Sequence, residues 1–316
     1  MLRSVVVGAL AVITAAAMPV FLMSPMQFDR NDDRLLIIQT TKEPKSLQDN
    51  IQLQTSGKIL SIPLEEYLVG VLISEMPLSF HEEALKAQAV AARTFAVKQL
   101  SGGKHEGFDL CDQASCCQAW NKTEDLEKKL GDGFSCYMNK AVEAVRETED
   151  QLIYYHGELI DAVYFSCSGG ATEAAVSVWG SHIPYLQSVE SPGEERSSKY
   201  RSSVSYSADA FRTCINRSDL TGNPLAWFGR EERSEGGGVE ELEIGGIWYS
   251  GAELRSLLGL NSTWFTIDAS EEEIVIDVQG YGHRVGMSQY GANAMAERGS
   301  TFEEILAYYY QGVEIK

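Results

Sequence analysis

Residues 62–100, IPLEEYLVGVLISEMPLSFHEEALKAQAVAARTFAVKQL, constrain the fold more than any other stretch of the chain. They read as two helices with a corner between them. Pro63 suits the first turn of a helix, where a missing N–H costs nothing, and Glu65 and Glu66 stand where the helix dipole favours negative charge. Leu64, Tyr67, Leu68, Val71 and Leu72 recur at helical spacing and mark a buried stripe. The next position on that stripe is Glu75, a carboxylate where a hydrophobe is expected. Pro77 ends the helix here, so carbonyl dipoles point at the acid, and burial beside Leu72 and Met76 disfavours its ionised form. Both effects favour a protonated carboxyl near neutral pH, the state required of a general acid. Spacing alone leaves a plainer alternative open: a glutamate at a helix end that reaches water.

Ser79-Phe80-His81-Glu82 has the spacing of a capping box and opens the second helix. Alanines at 84, 87, 89, 91, 92 and 96 let another backbone approach closely. Lys86 and Arg93 are seven apart and share one face. Turned toward the corner at Glu75, they would hold a polar substrate or orient the acid; turned outward, they would be two solvated cations.

The balance of 26 basic against 45 acidic residues, a net charge of −19, argues against a nucleic-acid partner. The chain starts MLR and then runs uncharged from Ser4 to Phe28, long enough for a membrane helix. Arg3 keeps the short end cytoplasmic and sends the body outside. Residues 1–27 are therefore expected to be an N-terminal membrane anchor, with removal as a signal at Ala15-Ala16-Ala17 as the alternative. The six cysteines, 111, 116, 117, 136, 167 and 214, then face a compartment in which disulfides persist, and spacing does not give their pairing. No paired CxxC spacing is present and His105 stands alone in sequence, so the expectation is disulfides or free thiols, with no metal and no cofactor.

The expected fold class is α+β: the membrane helix followed by one mixed extracytoplasmic catalytic domain, 28–316, with a substrate cleft and a variable excursion at about 190–270. The run LLII (35–38) leads toward a first strand, and GKILSI (57–62) is a second, its hairpin partner. Residues 101–133 form a long loop, stapled by Cys111 and Cys117 if they pair. A helix over 139–148 precedes strands at 151–155 and 158–166, joined by a tight turn at His156-Gly157. SPGEERSSKYRSS (191–203) is polar and reads as a mobile excursion. Helices are expected over 208–217, 251–260 and 287–297, and a strand over 273–282. A final helix starts at the capping box of Thr301 and Glu304.

Three places carry candidate chemistry: Glu75, the turn Ser166-Cys167-Ser168-Gly169-Gly170, and the glycine-flanked loop at His283. GxSxG and HExxH are both missing, which removes the common serine-hydrolase and zinc-protease patterns. Cys167 with His283 could form a thiol dyad, although a cysteine in this compartment pairs more readily than it catalyses. His283 alone is as consistent with a structural histidine.

In this order along the chain, EEYLVGVLISEMP, EALKAQAVAARTFA, FDLCD…CQAW (108–120), AVYFSCSGGATE (162–173), VWGSHIPYLQSV (178–189) and GHRVGMSQYGA (282–292) resemble the stage II sporulation protein D family, which cleaves peptidoglycan glycan strands. The resemblance spans about 250 residues. It implies lytic transglycosylase activity on strands stripped of stem peptides, with Glu75 as the catalytic acid and a 1,6-anhydro product. It implies that Lys86 and Arg93 position substrate, with Tyr185, His283, Gln289 and Tyr290 along the cleft. It also implies forespore engulfment as the setting, with a partner amidase (sporulation protein P) and a membrane protein (sporulation protein M). The alternative is a non-catalytic glycan-binding activator of a cell-wall amidase. Two departures stand out. Asp161 and Thr172 lie near the SGG turn, where some relatives bind zinc through His and Cys, and Gln187 stands where relatives carry a basic residue.

Overall fold

The computed structural model describes residues 50–122, 125, 127–128 and 131–316. The expected anchor at 1–27 and the apolar run at 35–38 lie outside these. Among the described residues no helix is long and apolar enough to cross a membrane.

The chain enters through an antiparallel hairpin, β1 (Ile51–Thr55) and β2 (Lys58–Ile62). Helix α1 (Leu64–Glu75) follows and buries Leu64, Tyr67, Leu68, Val71 and Leu72, the stripe that the spacing marks. It ends at Met76, whose N–H returns to the Leu72 carbonyl just before Pro77. Helix α2 (Glu82–Gly102) starts later than the sequence suggests. Its cap is His81 rather than Ser79: His81 Nδ1 accepts from the Glu83 N–H at 3.3 Å, while the Asn293 side chain holds the His81 N–H at 2.8 Å. A tertiary contact therefore overrides the local capping pattern.

Helix α2 is the axis of the part of the chain that carries Glu75. Leu85, Ala89, Ala92 and Ala96 face one core, shared with α1, the hairpin, the short parallel strand β3 (Leu110–Cys111) and helix α3 (Phe134–Glu147). Ala84, Ala87, Val90 and Ala91 face a second core. A helix packed on both sides needs small residues all round, which is why alanine rather than leucine dominates it.

Beyond α3, β4 (Ile153–Tyr155) and β5 (Glu158–Leu159) form the expected hairpin, with His156 and Gly157 both at positive φ. The long strand expected over 158–166 is broken. Its second half, β6 (Tyr164–Phe165), leaves β5 and runs parallel to a short strand at Met287–Ser288 near the C-terminus. Helix α4 (Ala175–Trp179) follows the SGG turn.

The excursion folds around a core of its own, built on Phe211, Trp227, Leu242, Ile244, Leu254, Phe265 and Ile276. Its strands β7 (Arg201–Ser207), β8 (Phe228–Arg233), β9 (Val239–Ile244), β10 (Ile247–Ser250), β11 (Trp264–Ala269) and β12 (Glu273–Gln279) make two antiparallel sheets, ordered β10-β9-β8 and β11-β12-β7. Helices α5 (Ala208–Cys214) and α6 (Gly251–Leu257) are each shorter than expected. The chain then returns through β13 (Met287–Ser288), α7 (Gln289–Glu297) and α8 (Phe302–Tyr309), the last with its Thr301–Glu304 capping box formed, and ends at β14 (Glu314–Ile315) beside β4. Helices α7 and α8 close the second core against α2.

The stretch at 191–203 is not a mobile excursion at its start. Ser191 and Glu194 are buried, and the Glu194 carboxylate accepts from Cys167 Sγ, the Ser168 N–H and hydroxyl, and the Ser191 hydroxyl, which also meets Tyr309. The SGG turn is a junction. A Cβ on Gly169 would stand 2.6 Å from Gly280 N, and one on Gly280 would stand 2.6 Å from the Ser168 carbonyl, so two backbones pass where only glycine fits.

Candidate active site at the end of helix α1

Glu75 sits in the last turn of α1 and is half-buried. Its Oε1 accepts from the Ala119 N–H at 2.7 Å. Burial raises its pKa from the ordinary carboxylate value, and the Ala119 N–H opposes that rise. The direction agrees with the sequence-based expectation; the opposing donor is new. A buried acid with one N–H donor can hold a proton and still tolerate losing it.

The segment after β3 delivers this donor. Trp120 packs its indole onto α1 at Gly70, where a side chain would collide with the ring. Asn121 Nδ2 donates to Ser74 Oγ at 2.9 Å, one residue before the acid. Gln118 lies buried between two phenols: Tyr67 O–H donates to its Oε1 at 3.1 Å, and its Nε2 donates to Tyr164 Oη at 2.9 Å. Tyr164 therefore keeps its own O–H hydrogen outside this chain of bonds. Burial first, and the nearby Glu75 charge next, push the Tyr164 hydroxyl well above its usual range, so it stays a donor. Gln118, Ala119 and Tyr164 escape a spacing argument because loop and strand bring them in from other parts of the chain, whereas Tyr67 was already marked on the stripe of α1.

His283 packs against the backbone of Tyr164, the residue whose hydroxyl feels the Glu75 charge. Its Nδ1 accepts from the Val285 N–H at 3.1 Å, and its ring has Trp179 at 5.5 Å and Phe165 at 5.7 Å between ring centroids. Burial, helped by the charge of Arg255, lowers its pKa to about 4. His283 is thus neutral near pH 7, a hydrogen-bonding group rather than a cation.

The other expected cleft residues are placed differently. Lys86 and Arg93 do share a face of α2, and that face meets the C-terminal end of α3 instead of the corner at Glu75. Lys86 pairs with Glu83 at 2.8 Å and Glu147 at 2.9 Å; burial lowers its pKa, and these two carboxylates more than restore it. Arg93 is buried, donating to the Thr148 and Val145 carbonyls at 2.6 and 2.9 Å and to Glu65 at 3.1 Å. Its terminal nitrogens are engaged inside the protein, where they lock α1, the carrier of Glu75, to α3. Tyr185 is tied to Asp161, whose N–H it accepts at 2.9 Å, and burial pushes its phenol up to about 12. Gln289 is buried against Gln88. Tyr290 meets Phe80 edge-on at 4.9 Å, and its N–H reaches the Ser166 carbonyl. Gln187 donates to the Ile183 carbonyl at 2.8 Å, within its own loop.

Of the two states expected for the cysteines, the structure shows free thiols, but their placement was not foreseen. Cys111, Cys116, Cys117, Cys136, Cys167 and Cys214 are all free thiols. The loop is not stapled by a disulfide, and His105 does not stand alone in space. His105, Cys111, Cys116 and Cys117 bring their ligand atoms within 4.8 Å of one another, with His105 Nε2 3.2 Å from Cys117 Sγ. Zinc bonds of roughly 2.0–2.3 Å to nitrogen and sulfur fit a donor set of this size and softness. Burial pushes the Cys117 thiol up to about 12 and raises Cys111, the condition of thiols gathered without a cation. His105, held below its ordinary pKa by burial, offers a neutral nitrogen. The cluster anchors the loop that ends at Ala119; Tyr67 senses Cys117, Cys111 and Glu75 together.

A helix-end acid held by a loop N–H, with a buried tyrosine beside it and a neutral histidine against that tyrosine's backbone, is the arrangement the structure offers as a candidate site. A family model described as stage II sporulation protein (SpoIID) matches residues 52–155, which include Glu75, α2, the cysteine cluster and Ala119. The chain is 39% identical over 258 residues to stage II sporulation protein D of Bacillus subtilis (strain 168), covering 81% of this chain and 75% of that one. It is 39% identical over 268 residues to stage II sporulation protein D of Bacillus amyloliquefaciens, covering 83% and 76%. The amidase enhancer of Bacillus subtilis (strain 168) is 29% identical over 303 residues, covering 78% of this chain and 40% of that protein. The chain belongs to the stage II sporulation protein D family, and its role is in sporulation.

Proposed function

We propose that this protein is a lytic transglycosylase that cleaves peptide-stripped peptidoglycan strands after N-acetylmuramic acid. The observation that carries the proposal is Glu75: a half-buried carboxyl with raised proton affinity, one N–H donor, and no other carboxylate among the groups that perturb it. An ordinary glycosidase needs two carboxyl groups at fixed separation. A single acid is enough when the sugar supplies its own nucleophile. Glu75 gives its proton to the glycosidic oxygen as the bond to C1 breaks. The C6 hydroxyl of the muramic acid ring then closes onto C1, and Glu75 takes up its proton. Burial favours the protonated state before the step, and the Ala119 N–H steadies the carboxylate within it.

Residues 1–27 would anchor the protein in the membrane, with the catalytic domain in the space between mother cell and forespore during engulfment. A partner amidase, sporulation protein P, would strip the strands, and the membrane protein sporulation protein M would complete the assembly. The amidase-enhancer relative supports a second reading, a glycan-binding activator without turnover. The test is incubation of the purified chain with stripped glycan, with products followed by mass spectrometry. Anhydro-muramic ends should accumulate with time and vanish in Glu75→Gln. Unchanged product formation in that variant refutes the role of Glu75, and stimulation of an amidase without any anhydro product supports the second reading.

A further inference from the structure

Four consecutive residues after β3 lie along helix α1, each held by a different residue of it. Gln118 Oε1 accepts from Tyr67 at 3.1 Å, the Ala119 N–H donates to Glu75 at 2.7 Å, the Trp120 indole packs at Gly70, and Asn121 donates to Ser74 at 2.9 Å. Residues 118–121 belong to no helix or strand, and among the described residues no backbone–backbone hydrogen bond engages them. Side chains therefore hold this segment in place. Gln118 is the member that also reaches a third element: its Nε2 donates at 2.9 Å to Tyr164 Oη on β6, which is itself paired with β13. One buried amide, 2% exposed, thus joins α1, the segment and the β6–β13 pair. The N–H that meets Glu75 is the second half of the Gln118–Ala119 peptide group. That group is planar, so its direction follows from the backbone of the two residues that flank it. With the Gln118 side chain pinned at both ends of its amide, the peptide has little freedom to swing away from the acid.

We propose that Gln118 is a positioning residue for the reaction at Glu75: by bridging Tyr67 and Tyr164 it aims the Ala119 N–H at the acid. This rests on the transglycosylase reading and deepens it. When Glu75 gives up its proton it becomes a carboxylate, and a donor already in place stabilises that charge without reorganising. A donor free to turn would have to be recaptured at each turnover. Glutamine suits the task because its planar amide accepts from one phenol and donates to the other. Gln118 acts through Ala119 and needs no contact with the sugar. The competing role, a buried amide that is only satisfied, predicts a loss of stability with no change at Glu75.

The test uses the full chain and Gln118→Met, which keeps an unbranched side chain of similar length but makes neither hydrogen bond. The first readout is the titration of the Glu75 carboxyl by NMR with ¹³C-labelled glutamate, assigned by its disappearance in Glu75→Gln. The groups that feel the Glu75 charge are Tyr67 on α1 and Tyr164 on β6, both phenols kept neutral by burial, so the curve belongs to Glu75. The Ala119 N–H lowers the proton affinity of Glu75, so its departure should move the titration up by about one pH unit. The second readout is turnover of stripped glycan: kcat should fall about tenfold with KM nearly unchanged. A triple variant, Gln118→Met with Tyr67→Phe and Tyr164→Phe, leaves no member of the bridge unpaired and should regain stability. It should regain neither the parent titration nor the parent kcat. Recovery of both together with stability would mark Gln118 as structural and overturn the proposal, as would a Glu75 titration that Gln118→Met leaves in place. Failure of the transglycosylase reading looks different: a parent chain that yields no anhydro product, while the Glu75 titration still moves with Gln118 and upholds its positioning of Ala119.

Discussion

Replacing Gly70 by alanine should destabilise the protein, although the same change on an exposed helix would stabilise it. An alanine gains about 1 kcal/mol over glycine in a helix interior. Here a Cβ would stand 2.2 Å from Trp120 Nε1, 2.6 Å from Cδ1 and 2.9 Å from Cε2. Carbon contacts settle at about 3.5 Å or more, so the indole must move by on the order of 1 Å. The ring cannot move freely, because it is buried in the first core and its chain neighbours Ala119 and Asn121 are bonded to Glu75 and Ser74. If the indole leaves its seat, the loss approaches that of a large-to-small aromatic substitution, about 3–5 kcal/mol. Subtracting the helix gain leaves a net destabilisation of roughly 2–4 kcal/mol. Urea unfolding followed by circular dichroism measures this directly. In a Trp120→Ala background the obstacle is gone, and Gly70→Ala should then stabilise by about 1 kcal/mol. Gly70→Ala that stabilises the parent protein would refute the claim that Trp120 clamps the loop onto α1.

Three further outcomes follow from the same geometry. Glu75→Gln should gain stability relative to the parent at pH 7 but not at pH 4. Below the unfolded value, near 4.5, both states of the parent are protonated; as pH rises the unfolded chain ionises first, and the parent loses stability until the folded carboxyl ionises too. Thermal melts at the two pH values check this, and a gain confined to acid pH would contradict it. Arg284 donates to the Ser168 and Ala171 carbonyls, pairs with Glu173 at 3.0 Å and lies 4.6 Å from the Trp264 ring centroid, so it ties the excursion to the SGG turn. Arg284→Met leaves the Glu173 carboxylate uncompensated and should cost about 3–5 kcal/mol in denaturant, much of it recovered by Arg284→Met with Glu173→Leu. Finally, the purified chain exposed to Zn²⁺ and then dialysed should retain zinc by elemental analysis. Cys117→Ser should lose the metal and slow turnover through the Ala119 loop; equal retention would remove the cluster as a zinc site.

Much of the helix that carries Glu75 was legible because its signals are local. A stripe of five apolar positions, an acid on that stripe and a proline two residues later lie within one stretch of chain, and α1 forms as they require, with Glu75 half-buried and its proton affinity raised. The capping box at Thr301 and the turn at His156-Gly157 were equally readable for the same reason. What the sequence by itself determined was therefore the position of a half-buried acid at a helix end and the direction in which its proton affinity shifts. The tertiary structure decided what surrounds it. Lys86 and Arg93 share a face by helical periodicity, but only packing determines that this face meets the end of α3. His105 and three cysteines converge because β3 pairs with β1, a contact between residues more than fifty apart. Glu194, in a run that composition marks as loop, is buried because Ser168 and Ser191 fold around it. Periodicity constrains a residue's neighbours within an element, whereas contacts between elements depend on how whole faces are buried, and no local pattern records that.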